Sequence, residues 1–224
     1  MVERHTQAEI DMIDSILKKL QIERGWLVDV GAHDGIFQSS TRHLLFSGWD
    51  ALLIEADDER FELLLKNTQQ FLGCRTVHRR ILYLDAELIR AKVPNSFDLL
   101  CIDIDGQDWW VWRKLLGKPK VIAIEYNSNF EPGECAVVPE DPEFRWSGDT
   151  FYGASAMALW GLGRKKGYTL VGQTPFSNLY FVRNDLAGAF TPLDPMEIPM
   201  ERIHPVTSKS FLCWSGSWVP VVEV

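Results

Sequence analysis

The sequence predicts a doubly wound α/β fold, and three observations carry that prediction. First, short apolar runs at about 26–30, 51–55, 74–78, 97–103 and 120–126 alternate with segments of helical periodicity. Near-continuous apolar strands of this kind are buried on both faces of a parallel sheet. Second, the run Trp26-Leu27-Val28-Asp29-Val30 leads straight into the turn Gly31-Ala32-His33-Asp34-Gly35, and Leu52-Leu53-Ile54 delivers Glu55 twenty residues after Gly35. Third, the strands Tyr168 to Gly172 and Asn178 to Arg183 are joined only by Gln173-Thr174-Pro175-Phe176-Ser177. A parallel crossover needs about a dozen residues or more, so these two strands must pair as an antiparallel hairpin.

The elements follow in order. Thr6-Gln7-Ala8-Glu9 fits a capping box, and Ile10, Ile13, Leu17 and Leu20 recur at helical spacing, which predicts an N-terminal helix ending before Gly25. The first crossover helix is expected at about 36–47, its turn opened by Asp34 and its end set by Gly48. A second starts near Asp58 and carries Phe61, Leu64 and Leu65; a short one falls near 85–91, before Pro94. The fourth carries Trp109, Trp112, Leu115 and Leu116, with Asp108 as its N-cap and Trp112 in the core. A helix at about 154–166, capped by Ser155, leads into the hairpin. Residues 128–152 mix acids with Phe130, Phe144, Trp146, Phe151 and Tyr152, and a loop of that length suggests a lid stacking on a polar ring. With no repeat and no low-complexity linker, one domain spanning 1–224 is expected, with a helix to residue 24, a core at 25–184 and an extension at 185–224. The prolines and tryptophans of that extension suggest a segment wrapped on the body or a contact between copies of the chain.

A formal net charge of −8 and the lack of a basic stripe argue against a nucleic-acid partner; Arg75, Arg79 and Arg80 make only a local patch. Cys74, Cys101, Cys135 and Cys213 show no Cys-x-x-Cys pairing, and reduced thiols in a cytoplasmic protein are expected. The N-terminal region has no apolar signal core, and no stretch is long enough to span a bilayer, so no membrane role is expected.

The chemistry is expected at the carboxyl ends of the strands, where ligands of open α/β sheets bind. Gly31 lets the backbone approach a ligand closely, and Glu55, ending the next strand, is placed to hydrogen-bond ribose hydroxyls. Such a nucleoside cradle serves NAD, FAD or S-adenosylmethionine. The dinucleotide fingerprint, however, requires Gly-x-Gly-x-x-Gly to seat a pyrophosphate. Here the central position is His33 and the next residue is the acid Asp34, which repels pyrophosphate and suits a ligand with an amino group and a sulfonium. The other strand ends are acidic as well: Asp29, Asp103 with Asp105, and Glu125. Converging buried carboxylates need cations. Each has a plainer reading: Glu55 as a strand-end acid, Asp29 as a structural turn acid, His33 as a loop histidine bonded locally, and Gly31 and Gly35 as ordinary turn glycines.

Asp29-Val30-Gly31-Ala32-His33-Asp34-Gly35 resembles the Asp-x-Gly-x-Gly-x-Gly first motif of class I S-adenosylmethionine-dependent methyltransferases, with His33 in place of the central glycine. Ile54-Glu55-Ala56-Asp57 resembles their second motif, and the segment Phe97 to Gly106 is similar to the Ile-Asp-Val-Glu-Gly segment of the FkbM-like branch, with Asp105 where the branch has glutamate. The resemblance covers roughly residues 25 to 184. It implies a Rossmann-like seven-stranded sheet of order 3-2-1-4-5-7-6 with an antiparallel last strand. It also implies S-adenosylmethionine held by Asp29, Gly31, His33, Gly35, Glu55, Ala56 and Asp103, and methyl transfer to a hydroxyl of a small molecule such as a sugar of a glycan or secondary metabolite. Asp103 ends its strand as the first metal ligand does in magnesium-dependent catechol-type methyltransferases. Glu125 and Asn127, the asparagine displaced by one, would complete an oxygen-rich Mg²⁺ site. Asp103, Glu125 and His33 are then the candidates for removing the hydroxyl proton. Three alternatives stand beside this reading: acids that only hold loops or steer substrate, a catalytically idle nucleoside-binding module with a partner-binding extension, and an NAD enzyme, which Asp34 and the hairpin disfavour.

Overall fold

The computed structural model describes residues 2–80, 92–94, 96–115, 117–201, 204 and 219–220. The helix expected near 85–91, together with Leu116, Cys213, Trp214 and Trp218, lies outside them. Seven strands form one sheet: β1 (Trp26–Val30), β2 (Asp50–Glu55), β3 (Cys74–His78), β4 (Leu99–Ile102), β5 (Val121–Glu125), β7 (Tyr168–Gln173) and β8 (Asn178–Arg183). Their order is β3-β2-β1-β4-β5-β8-β7. The short β6 (Ala136–Val137) pairs outside this sheet with β9 (Val219–Pro220). With that extra strand counted, the order is the one the resemblance implies. β1 to β5 pair in parallel, and β8 runs antiparallel to both β5 and β7.

The strand runs read as continuously apolar because alternate residues feed opposite cores. Val28, Val30, Leu52, Ile54, Leu100 and Ile122 face Trp109 and Trp112 of α4 (Asp108–Lys114) and Leu159 of α5 (Ala156–Lys166). Leu27, Leu53, Leu99 and Val121 face Ile13 and Leu17 of α1 (Val2–Lys19), Leu44 of α2 (Arg42–Phe46) and Leu64 of α3 (Asp58–Thr68). Trp112 is fully buried as expected, tilted against Phe181 with ring centres 4.9 Å apart. Asp57 and Ser155 are the N-caps of α3 and α5: the Arg60 amide donates to Asp57 at 2.9 Å and the Ala158 amide to Ser155 at 3.2 Å.

Three local expectations are corrected. α1 begins at Val2, so Thr6 to Glu9 lie inside the helix, and Glu9 turns inward, buried, to accept a hydrogen bond from the Ser177 hydroxyl. α2 is only five residues long because the chain before it is held in turns. Asp34 accepts the amides of Ile36 and Phe37 at 2.8 and 2.7 Å, and His33 and Gln38 adopt left-handed φ of 51° and 53°. Asp34 thus closes its own turn rather than opening a helix. Asp108 is the first residue of α4 rather than its cap, and its carboxylate reaches back to the amides of Ile104 and Gly106, both at 2.9 Å. Among the described residues no helix is long and apolar enough to cross a membrane.

Candidate active site

The first loop is built around Gly31 and Glu55. The amides of Gly31 and Ala32 both donate to the Ile54 carbonyl at 3.0 Å, which folds the loop across the end of β2. Gly31 has φ +94°, and a Cβ there would lie 1.8 Å from the Asp103 carbonyl oxygen. Only glycine lets β1 and β4 end this close together. At Gly35 a Cβ would lie 2.7 Å from Leu64 Cδ1 of α3. Glu55 is buried and accepts three backbone amides at 2.8 Å: His33 on Oε2, and Ala56 and Asp57 on Oε1. It therefore fastens the first loop to the second, and Oε2 keeps one lone pair for a ligand. His33 is engaged locally, its Nδ1 accepting the Asp34 amide at 2.8 Å and its ring tilted on Phe37 at 5.2 Å.

Asp29 lies on the α1 side of β1, buried, with the Thr41 hydroxyl donating to it at 2.7 Å. Burial pushes its carboxyl up to about 6, with the Thr41 bond opposing and the charge of Glu55 adding. This hydroxyl also explains α2: Thr41 precedes the helix without capping it.

The densest charge lies past β4 and β5. Asp103, Asp105 and Glu125 each place a carboxylate oxygen within 4.8 Å of the others. No hydrogen-bond donor among the described residues reaches any of the three, and Glu125 Oε2 is a buried atom with no partner among them. Asp105 sits at φ +54°, the left-handed turn that carries the chain from β4 towards α4. Asp103 and Asp105 are exposed and Glu125 is half-buried. Poor solvation, then the like charges of Asp105 and Asp108, hold Asp103 far above the ordinary carboxylate range. Glu125 is raised in the same way, burial first and Asp103 next, while Glu9 of α1 adds to the repulsion on both. Sequence reasoning took Glu9 as half of a capping box and so missed it; its inward register with Ile13 and Ile16 was the available signal.

Asn127, expected as a metal ligand, is not part of this cluster. Its Nδ2 donates to the carbonyls of Thr150 and Tyr152, and its Oδ1 accepts from the amide and side chain of Asn129, so both lone pairs are used. Asp105 occupies the third position instead. Asn127 pins the 128–152 segment, which Gln107 and Trp110 of the α4 region also hold by donating to the carbonyls of Pro139 and Val138. Phe130, Val138 and Phe151 give that segment a small core of its own. It is thus packed on the body, with the half-buried Trp146 ring 5.5 Å from that of the fully buried Tyr152. The charges of Glu125, Asp103 and Asp105 all bear on the Tyr152 hydroxyl.

No protein-family profile matches the chain, and no curated protein matches it. Among solved structures it is similar to magnesium protoporphyrin IX methyltransferase from Synechocystis PCC 6803 with bound SAM. That match has 11% identity and a TM-score of 0.50, over 80% of this chain and 79% of that one. It is also similar to WbdD, at 15% identity and a TM-score of 0.49, over 78% of this chain and 39% of that one. The chain therefore spans about two fifths of WbdD's length. The N-terminal domain of EvdMO1, solved with SAH and D-fucose, aligns at 11% identity and a TM-score of 0.49, over 78% of this chain and 82% of that one. At these identities the likeness shows the fold: the mixed seven-stranded sheet is a Rossmann-like methyltransferase fold.

Proposed function

We propose that this chain transfers the methyl group of S-adenosylmethionine to a hydroxyl of a small molecule, a sugar of a glycan or secondary metabolite. The observation that carries the reading is the crowding of negative charge at the carboxyl edge, where three carboxylates converge with no hydrogen-bond donor among the described residues and with only the more distant charges of Arg60 and His204 opposing, at Asp105. A ligand bringing a sulfonium and an ammonium supplies what this edge lacks, whereas a pyrophosphate would add to the repulsion. Glu55, with its remaining lone pair, and the exposed Ala56 suit the ribose end; Asp29 and Asp103 suit the methionine end. Trp146, half-buried in the 128–152 segment, offers a ring face for a sugar.

Methyl transfer is an in-line displacement, so the protein's part is chiefly to align donor and acceptor and to remove the hydroxyl proton. Oxygen donors at the spacing of Asp103, Asp105 and Glu125 also fit a hard divalent cation such as Mg²⁺. Such an ion, when bound, makes a coordinated hydroxyl more acidic. Calorimetry tests the core of the proposal. The expected result is that adenosylmethionine and its demethylated product, adenosylhomocysteine, bind in the micromolar range and NAD does not. Binding of NAD without adenosylmethionine refutes it. Transfer of label from adenosylmethionine to a panel of glycans and glycosides then identifies the acceptor.

A further inference from the structure

The first loop departs from its glycine-rich motif at His33, where φ is 51° and glycine would sit without strain. Every backbone amide from residue 31 to 37 is engaged: the first two on the Ile54 carbonyl, that of His33 on Glu55, that of Asp34 on the His33 ring, that of Gly35 on the Ala32 carbonyl, and the last two on the Asp34 carboxylate. The loop therefore has no open amide for a ligand, unlike the loops whose amides seat a phosphate. One donor is left, and it is a side chain. The Asp34 amide reaches Nδ1 of His33 at 2.8 Å. An amide nitrogen only donates, so Nδ1 must be the accepting nitrogen, and the proton of the neutral ring sits on Nε2. The Asp34 carboxylate lies 3.5 Å from the same Nδ1 but already accepts the amides of Ile36 and Phe37. Phe37 braces the ring at 5.2 Å, the side chain stays 31% exposed at the carboxyl edge, and among the described residues no acceptor takes Nε2.

Resting on the methyl-transfer reading, we propose that His33 determines specificity for the ribose of adenosylmethionine: its Nε2–H is the donor that the glycine loop offers, opposite Glu55 as acceptor. The pair is complementary to a vicinal diol. A hydroxyl both donates and accepts, so one ribose hydroxyl gives its proton to the remaining lone pair of Glu55 Oε2 while a diol oxygen accepts the imidazole N–H. Glu55, an acceptor alone, would leave the diol's own lone pairs without a partner. The two groups are built as one unit, because the His33 amide donates to Oε2 at 2.8 Å and so fixes the acceptor beside the donor. The same bonds take His33 out of proton transfer. Nδ1 holds the Asp34 amide and Nε2 already carries its proton, which leaves no lone pair for the proton of a methyl acceptor.

The test uses the full chain with His33→Asn and His33→Gly. The asparagine side chain tolerates the left-handed φ, and its Oδ1 can replace Nδ1 as acceptor of the Asp34 amide, but it has no donor where Nε2 stands. The glycine variant restores the motif and removes both ring nitrogens. Calorimetry compares adenosylhomocysteine with its 2′,3′-dideoxy analogue on all three chains. The expected result is that the wild-type preference for the intact ribose falls roughly three- to tenfold in each variant. A preference unmoved in both variants, whether or not overall affinity drops, overturns the proposal, since His33 then only closes its own loop. Imidazole nitrogen resonances give a second reading: at pH 8 the ring whose signals vanish in His33→Asn must carry its proton on Nε2, and that N–H must shift when adenosylhomocysteine binds. A proton on Nδ1, or an Nε2–H blind to the ligand, also overturns it. Failure of the wild-type chain to bind either adenosylmethionine or adenosylhomocysteine refutes the methyl-transfer reading itself, and this inference with it.

Discussion

Asp29→Asn isolates one buried charge in the proposed cofactor site. The carboxyl at position 29 is raised from 3.8 to about 6 by burial in the folded chain. A raised carboxyl stabilises the fold only while protonated. Its contribution is complete below the unfolded value near 3.8 and is lost as pH climbs through about 6. The linkage relation puts the resulting destabilisation at about 1.6 kcal/mol at pH 5 and about 3 kcal/mol at pH 8. Asparagine cannot ionise and can still accept the Thr41 hydroxyl bond. The stability of Asp29→Asn relative to wild type should therefore improve by about 1.4 kcal/mol between pH 5 and pH 8. Taking the difference across pH cancels whatever constant cost the amide brings. Urea unfolding of both chains at pH 5, 6, 7 and 8 measures it. A difference that is flat across that range refutes the claim that Asp29 is ionised and uncompensated. Saturating adenosylmethionine should flatten it, because a cation beside Asp29 lowers its carboxyl towards the ordinary value.

Glu55→Ala should cost about 2–4 kcal/mol in urea unfolding and weaken adenosylmethionine binding, since three amides lose their acceptor. An unchanged midpoint would show that the loops hold without it. Gly31→Ala should destabilise by more than about 3 kcal/mol, because its Cβ meets backbone, whereas Gly148→Ala, with a similar φ and open space, should cost only about 1 kcal/mol. Equal melting shifts would contradict the close approach of β1 and β4. If a metal sits among Asp103, Asp105 and Glu125, EDTA abolishes methyl transfer, Mg²⁺ or Mn²⁺ restores it, and Asp103→Asn still binds adenosylmethionine. Full activity in excess EDTA after dialysis removes the metal from the mechanism.

The parts of this fold legible in the sequence are those dictated by short-range pattern. β1, β3 and β8 fall on the expected residues because apolar runs between turn residues leave little freedom, and the five-residue connection after Gln173 permits only a hairpin. What misled was side chains that serve something other than their own helix. Thr41 precedes α2 but gives its hydroxyl to Asp29, Asp108 starts α4 but bonds backward, and Glu9 has the spacing of a cap yet points into the core. Each depends on a contact distant in the chain or on loop curvature, and neither leaves a periodic trace. Asn127 misled for a related reason: an amide after a strand suits a metal as well as it suits two neighbouring carbonyls, and only the packed 128–152 segment decides between them.

The distribution of hydrogen bonds among the edge acids narrows where a cation must go. Glu55 has three amides, Asp34 and Asp108 two each, and each of these carboxylates is stabilised by the loop it organises. Asp29 has one hydroxyl, and Asp103, Asp105 and Glu125 have no donor among the described residues. The deficit is thus in two places, one at the end of β1 and one past β4 and β5. A single divalent ion at the trio reaches Asp29 only through its charge interaction with Asp103. A ligand that carries an ammonium and a sulfonium a few bonds apart can address both centres at once. A metal is then an addition to that arrangement, and Asp29, which is not one of the three clustered acids, is the residue whose titration bears on the cofactor.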